Sequence, residues 1–227
     1  MAIIQTLNSK KTTDEKIYQF KIYLIDTDVW RVIQVPDTYT FYDLHVAIQN
    51  AMGWTDSHLH SFEIKDKGNH VIRIDNPYPN EFEEGEPLID TEVYIKDYLT
   101  IKKRIALYEY DFGDCWTHQV YLEKIMDKAE GEKYPKCIDG HLSCPPEDCG
   151  GIGGYYDLVE LVKLAHDLKI NIKKLENEDY QEELEGLDED INIDTLLWLD
   201  GWQPDKFSLK SVKFENPRKR LKETLEL

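Results

Sequence analysis

Arginine is scarce in this chain, and positive charge as a whole is outnumbered. The 227 residues hold 27 Lys+Arg against 45 Asp+Glu, a formal net charge of −18, and the arginines are only Arg31, Arg73, Arg104, Arg218 and Arg220. Nonspecific binding to DNA or RNA draws on clustered Lys and Arg that displace counterions, so this balance argues against a nucleic-acid partner. It also argues against recombinase chemistry. A serine recombinase needs arginines around its serine, and a tyrosine recombinase needs an Arg/His set around its tyrosine. The one basic run, Arg218, Lys219, Arg220 and Lys222, reads as a solvated helix face or a frayed end.

Other features are missing too. No window approaches the roughly 18 apolar residues of a membrane span. The N-terminus MAIIQTLNSKKTTDEK lacks the charged-then-apolar pattern of a secretory leader, so the expectation is a cytoplasmic protein with no membrane partner. Cysteine is sparse at four residues; in a cytoplasmic chain these read as free thiols or metal ligands. A chain of this length buries a core without disulfide staples. There is no internal repeat and no low-complexity linker.

What is present reads as an α+β fold with a largely antiparallel sheet. Residues 17–24 alternate, with Tyr18, Phe20, Ile22 and Leu24 on one side, and a second strand follows at 29–35 after the turn Asp26-Thr27-Asp28; this is a strand pair. A helix comes next. Thr40 is its N-cap, with Asp43 three residues on; Phe41, Leu44, Ile48, Ala51 and Met52 keep helical spacing, and Gly53 caps the end. Residues 62–65 and 71–74 form another hairpin, 76–90 an exposed loop, and 105–110 and 117–123 two further strands. A helix of about three turns starts near Tyr156. Residues 176–200 carry eleven Asp or Glu and no Lys or Arg. They read as an acidic helical or loose segment tied down by Ile193, Leu196, Leu197 and Leu199. Short helical material toward the C-terminus completes the order.

Chemically useful groups concentrate between Tyr108 and Tyr156. Cys137, Cys144 and Cys149 follow the spacing C-x6-C-x4-C. With His118 as a fourth ligand they would make a tetrahedral zinc site, His141 being the other candidate. The alternative is buried free thiols, which pack as small hydrophobes. Asp111 and Asp114 flank a turn in which Gly113 would supply positive φ, with His118 on the following strand and Glu147 and Asp148 in a Pro-Pro-Glu-Asp loop. Carboxylates and a histidine brought together hold Mg²⁺ or Mn²⁺ and activate water; the alternative is that the aspartates cap a hairpin turn. His58 and His60 would share one face of a strand, as a metal pair or proton shuttle requires, or would hydrogen-bond at a sheet edge. Gly150-Gly151-Ile152-Gly153-Gly154 precedes a helix but lacks the Lys and Ser/Thr of a phosphate-binding loop. Glu147 and Asp148 are expected to cap that helix. Trp30, Trp54, Trp116, Tyr108, Tyr110 and Tyr155 build the core and its rim, or line a recognition groove.

Several segments occur in a recognisable order: VWRVIQVP, then FYDLHVAIQNAMGW and DSHLHSFEI, then YEYDFGDCWTHQVYLEKI and YPKCIDG, then CPPEDCGGIGGYYDLVELV and LDGWQPDKFSLKSV. Together they resemble the plasmid pRiA4b ORF-3-like family over residues 17–212. The resemblance implies a 1–16 extension, a single α+β domain at 17–212 and a basic tail at 213–227. The chain departs from the family pattern at 167–195, where it is longer and more acidic. Some members carry a resolvase-like label, which would imply a DNA recombinase accessory; the scarcity of arginine weighs against that. The expectation is a non-enzymatic binding module for a protein or small-ligand partner. The alternative is a metal-dependent hydrolase, such as a nuclease, using His58, His60, Asp111, Asp114 and His118.

Overall fold

Tyr18, Phe20, Ile22 and Leu24 are all buried along β1 (Lys16–Leu24). β1 pairs antiparallel with β2 (Trp30–Pro36), Tyr18 lying opposite Val35. This pair lies inside a larger sheet rather than at its edge. The computed structural model describes residues 15–76, 88–184, 186–188 and 190–225; nearly all of the 1–16 extension and most of the 76–90 loop fall outside these. Its further strands are β3 (His60–Lys65), β4 (Val71–Asp75), β5 (Leu88–Ile89), β6 (Ile105–Tyr110), β7 (Trp116–Asp127) and β8 (Lys136–His141). The sheet order is β5-β4-β3-β6-β7-β1-β2-β8, antiparallel throughout except for β4 with β5. The fold is α+β.

The central position of β1 and β2 explains a departure from simple alternation. Gln19 and Gln34, on the side opposite the aromatic residues, are buried as well, and Gln34 Nε2 donates to Gln19 Oε1 at 2.7 Å. A buried amide keeps its place only when its donors and acceptors are paired.

The first helix, α1 (Phe41–Met52), begins and ends as its sequence dictates. Thr40 Oγ1 accepts from the Asp43 N–H at 3.1 Å, and Asp43 Oδ2 accepts from the Thr40 N–H at 3.0 Å. Gly53 takes a left-handed φ of 96° and donates its N–H to the Gln49 carbonyl. Phe41, Leu44 and Ile48 enter a core shared with Phe62, Tyr108, Trp116 and Leu122. Thr40→Ala removes one arm of the capping box and is expected to lower stability by about 1 kcal/mol; chemical denaturation checks this, with an unchanged midpoint as the contrary result.

The remaining helices are α2 (Ile95–Tyr98), α3 (Gly151–Asp167), α4 (Glu178–Leu184), α5 (Ile193–Trp198) and α6 (Pro217–Leu225). Three differ from expectation. α3 begins at Gly151, five residues before Tyr156, and absorbs the glycine run. The acidic segment is folded: Ala165, Ile170, Leu175, Leu184 and Leu196 form a second small cluster. The basic tail is not all solvated, because α6 returns to α1 and Arg220 is nearly buried, pairing with Glu215 at 2.7 Å and lying 3.6 Å from Asp56. Among the described residues no helix is long and apolar enough to cross a membrane.

Candidate functional site

Three loops converge at the ends of β3, β6 and α3. The first, residues 54–59, leaves α1 and leads into β3. Trp54 is buried and its Nε1 donates to the Pro145 carbonyl at 3.0 Å. The Thr55 N–H donates to Glu147 Oε1 at 2.7 Å, and the Ser57 N–H to the Tyr110 hydroxyl at 3.0 Å. That hydroxyl donates in turn to Glu147. Glu147 is therefore spent on the loop and does not cap α3. The group at the start of α3 is Asp114, whose Oδ2 accepts from the Gly150 N–H at 3.1 Å.

The second loop is the turn from β6 to β7. Asp111 Oδ1 accepts from the N–H groups of Gly113 and Asp114, as a turn-capping aspartate does. The left-handed positions are Asp111 and Cys115, both at φ 56°, and not Gly113. Asp111 Oδ2 faces His58 Nε2 at 3.6 Å, and Asp148 Oδ1, from the third loop (residues 142–150, between β8 and α3), lies 2.9 Å from the same nitrogen. His58, Asp111 and Asp148 form one of two groups of potential metal ligands among the described residues.

The second group is His45, Asp56 and His60. The His45 and His60 rings stack at 3.5 Å with planes 7° apart. His45 Nε2 meets Asp56 Oδ1 at 2.7 Å and His45 Nδ1 meets the Tyr108 hydroxyl at 2.8 Å. A carboxylate only accepts, so Nε2 carries the proton and Nδ1 accepts from Tyr108, which itself accepts from Gln49 Nε2 at 3.0 Å. His60 Nε2 donates to Asp90 Oδ2 at 2.9 Å, and Asp90 is fully buried. Burial, with the His60 charge adding to it, pushes His45 down to about 4, against the pull of Asp56. Burial alone would raise the Asp56 carboxyl, but the hydrogen bond from His45 and the charges around it, Arg220 included, hold it below the ordinary carboxylate value.

The expected hydrolase set is dispersed. His58 and Asp111 come together, with Asp148 as their third member. His60 belongs to the His45 network, and Asp114 is engaged at Gly150. His118 is fully buried, its Nδ1 3.3 Å from the Tyr108 carbonyl and its ring edge-on to Trp54. Burial lowers it to about 4.

The expected zinc set does not assemble either. No three of Cys137, Cys144, Cys149 and His118 come within ligand distance of one another, and the strand order separates Cys137 from His118. Cys137 lies on β8 and His118 on β7, with β1 and β2 between them, a separation of about 14 Å at ordinary strand spacing. All four cysteines are free. Burial raises the Cys144 thiol far above its usual value, and burial followed by the Asp114 charge pushes Cys149 up to about 12.

A cleft of about 330 Å³ opens beside the third loop. Pro146, Glu147, Asp148, Trp198, Leu199 and Trp202 line it. Trp202 is fixed by its Nε1 donating to the Cys144 carbonyl at 2.9 Å and by an edge-on contact with Tyr155. Trp198 is 51% exposed. The cleft thus involves none of the expected Trp30, Trp54, Trp116, Tyr108, Tyr110 and Tyr155.

The residues that sequence reasoning passed over are His45, Asp56, Asp90, Trp198 and Trp202. His45 sits four positions after Phe41 on the apolar side of α1, which is its only local signal. Residues 16–211 match the family model described as plasmid pRiA4b ORF-3-like protein, bearing out the resemblance. An uncharacterised protein of Sinorhizobium fredii, y4hQ, is 34% identical over 146 residues, which is 63% of this chain and 71% of that protein. The crystal structure of MM3350 from Methanosarcina mazei Go1, a protein of unknown function, matches with a TM-score of 0.68 at 38% identity, covering 89% of this chain and all of that one.

Proposed function

This chain belongs to the plasmid pRiA4b ORF-3-like family, and we propose that it is a non-enzymatic binding module that captures a Lys- or Arg-bearing segment of a protein partner. The observation that carries this reading is the cleft walled by Trp198 and Trp202 and edged by Glu147 and Asp148. An aromatic face attracts a cation through its quadrupole. A carboxylate at the rim adds charge complementarity, which steers encounter and fixes partner choice. Pro146 and Leu199 offer apolar surface to the methylene stem of a lysine or arginine, whose charged head stays in water.

Three further points support the reading. Several polar groups suited to chemistry are engaged in internal contacts: Asp111 Oδ1 and Asp114 in turn and helix-end hydrogen bonds, His118 in the core, and the Cys144 thiol by burial. The net charge of −18 favours a cationic partner over nucleic acid. Four free cysteines suit the reducing cytoplasm, and we place the module there.

A fluorescently labelled Lys/Arg-rich peptide and an anisotropy titration test this. Trp198→Ala is expected to weaken binding about tenfold, the scale of one well-placed cation–aromatic contact. Trp30→Ala, at a residue that does not line the cleft, leaves it unchanged. Equal affinity in the wild type and the Trp198→Ala variant overturns the assignment of the cleft.

A further inference from the structure

We propose that His58 Nε2, Asp111 Oδ2 and Asp148 Oδ1 form a site for one divalent transition-metal cation of the Mn²⁺, Co²⁺ or Zn²⁺ class. Three features of the geometry point to it. First, the spacing fits. Metal–ligand bonds of about 2.1 Å place neighbouring ligands roughly 3.0 Å apart at octahedral angles and about 3.4 Å apart at tetrahedral ones. The nitrogen lies 2.9 Å from Asp148 Oδ1 and 3.6 Å from Asp111 Oδ2.

Second, the imidazole nitrogen is buried and makes no hydrogen bond, although both oxygens lie close by. Asp148 Oδ1, though at 2.9 Å, does not take up its axis as a hydrogen-bond partner would, and Asp111 Oδ2 at 3.6 Å is beyond hydrogen-bond reach. A ring lone pair directed at a cation between the oxygens accounts for that arrangement. Third, the ligands are oriented from behind. Asp111 spends Oδ1 on the Gly113 and Asp114 N–H groups and so presents Oδ2. The His58 ring packs edge-on to Tyr110, whose hydroxyl is held by Glu147. Such supporting contacts are what fix ligand geometry in metal centres.

The donor set selects the class of ion. One imidazole with two carboxylates suits borderline divalent cations better than Ca²⁺ or Mg²⁺, which favour oxygen alone. Two carboxylates in a chain of net charge −18 supply the electrostatic attraction. Asp148 is largely exposed at 69% of its side chain, so the remaining coordination positions open to solvent.

The neighbouring His45, Asp56 and His60 group does not offer the same. Its rings are parallel at 3.5 Å, so no single point lies in both ring planes. Both Nε2 atoms are already directed at carboxylates, His45 at Asp56 and His60 at Asp90.

The test is equilibrium dialysis of the tag-free full chain against micromolar Zn²⁺, followed by elemental analysis, with Co²⁺ loading as a second readout. One Zn²⁺ per chain is expected in the wild type, with at least a tenfold loss of affinity in His58→Ala and in Asp148→Asn. Visible Co²⁺ absorption bands should disappear in both variants. Asp148 is exposed, so Asp148→Asn decides the matter even where His58→Ala fails to fold. A wild type that retains no Zn²⁺, or an Asp148→Asn variant that retains it with wild-type affinity, overturns the site. Asp148 is shared with the rim of the tryptophan cleft, but neither tryptophan is a metal ligand. Trp198→Ala should leave metal retention unchanged, so the two assignments fail separately.

Discussion

Gly154→Ala is expected to destabilise the protein by at least about 3 kcal/mol, while Gly153→Ala, one residue away, stabilises it by roughly 0.5–1 kcal/mol. Both residues lie in the first turn and a half of α3. A Cβ on Gly154 would fall inside the Cys149 carbonyl, which is backbone and cannot swing aside. The clash moves the loop carrying Glu147 and Asp148, so the cost is paid at the candidate site as well as in the helix. A Cβ on Gly153 meets nothing within 4 Å, and alanine there gains helix propensity. Denaturant midpoints of the two variants, measured side by side, check this. Similar effects of the two substitutions would show that the loop does not approach the helix as described.

Stability is expected to fall as pH drops from 6.5 toward 4, driven by His45 and His118. Burial lowers both to about 4 in the folded protein, whereas in the unfolded chain they titrate near 6.5. Above pH 6.5 both states hold these rings neutral and the effect is absent. Below it the unfolded state binds protons that the folded state refuses, so the unfolding free energy falls with pH. Each ring contributes on the order of 3 kcal/mol once pH reaches the folded value, a large part of an ordinary domain's stability. Urea melts between pH 7.5 and 5 measure the slope, and His118→Gln should reduce it whatever that variant's stability at pH 7.5. A flat profile over this range would mean that the two rings are not sealed from water.

The elements that could be read from sequence are those whose cause is local. Thr40, Asp43 and Gly53 mark both ends of α1 because caps act within four residues, and the alternation from Tyr18 to Leu24 marks a strand because the pleat has a period of two. The partners of the chemical groups were not local. Cys137 and His118 are 19 positions apart in sequence, yet β1 and β2 intervene, a fact set by strand order alone. Asp90 falls in a segment whose prolines and carboxylates suggested an exposed loop, and it is fully buried because His60 pairs with it. His58 was visible as a candidate, and Asp148 as one of the carboxylates that could join a histidine or as a helix cap, but nothing local paired the two. Trp198 and Trp202 carry no local signal of a site, and only the approach of Pro146 and its neighbours makes them a cleft.

The central claim is that the cleft recognises positive charge. A calorimetric titration of the full chain with a short lysine-containing peptide, and with the same peptide acetylated on its lysines, tests it most directly. Acetylation keeps the stem and removes the charge. The account predicts saturable one-to-one binding of the lysine peptide, weakened by added salt and reduced at least about tenfold by acetylation. Equal binding of the two peptides, or no binding of either at millimolar concentration, would contradict it.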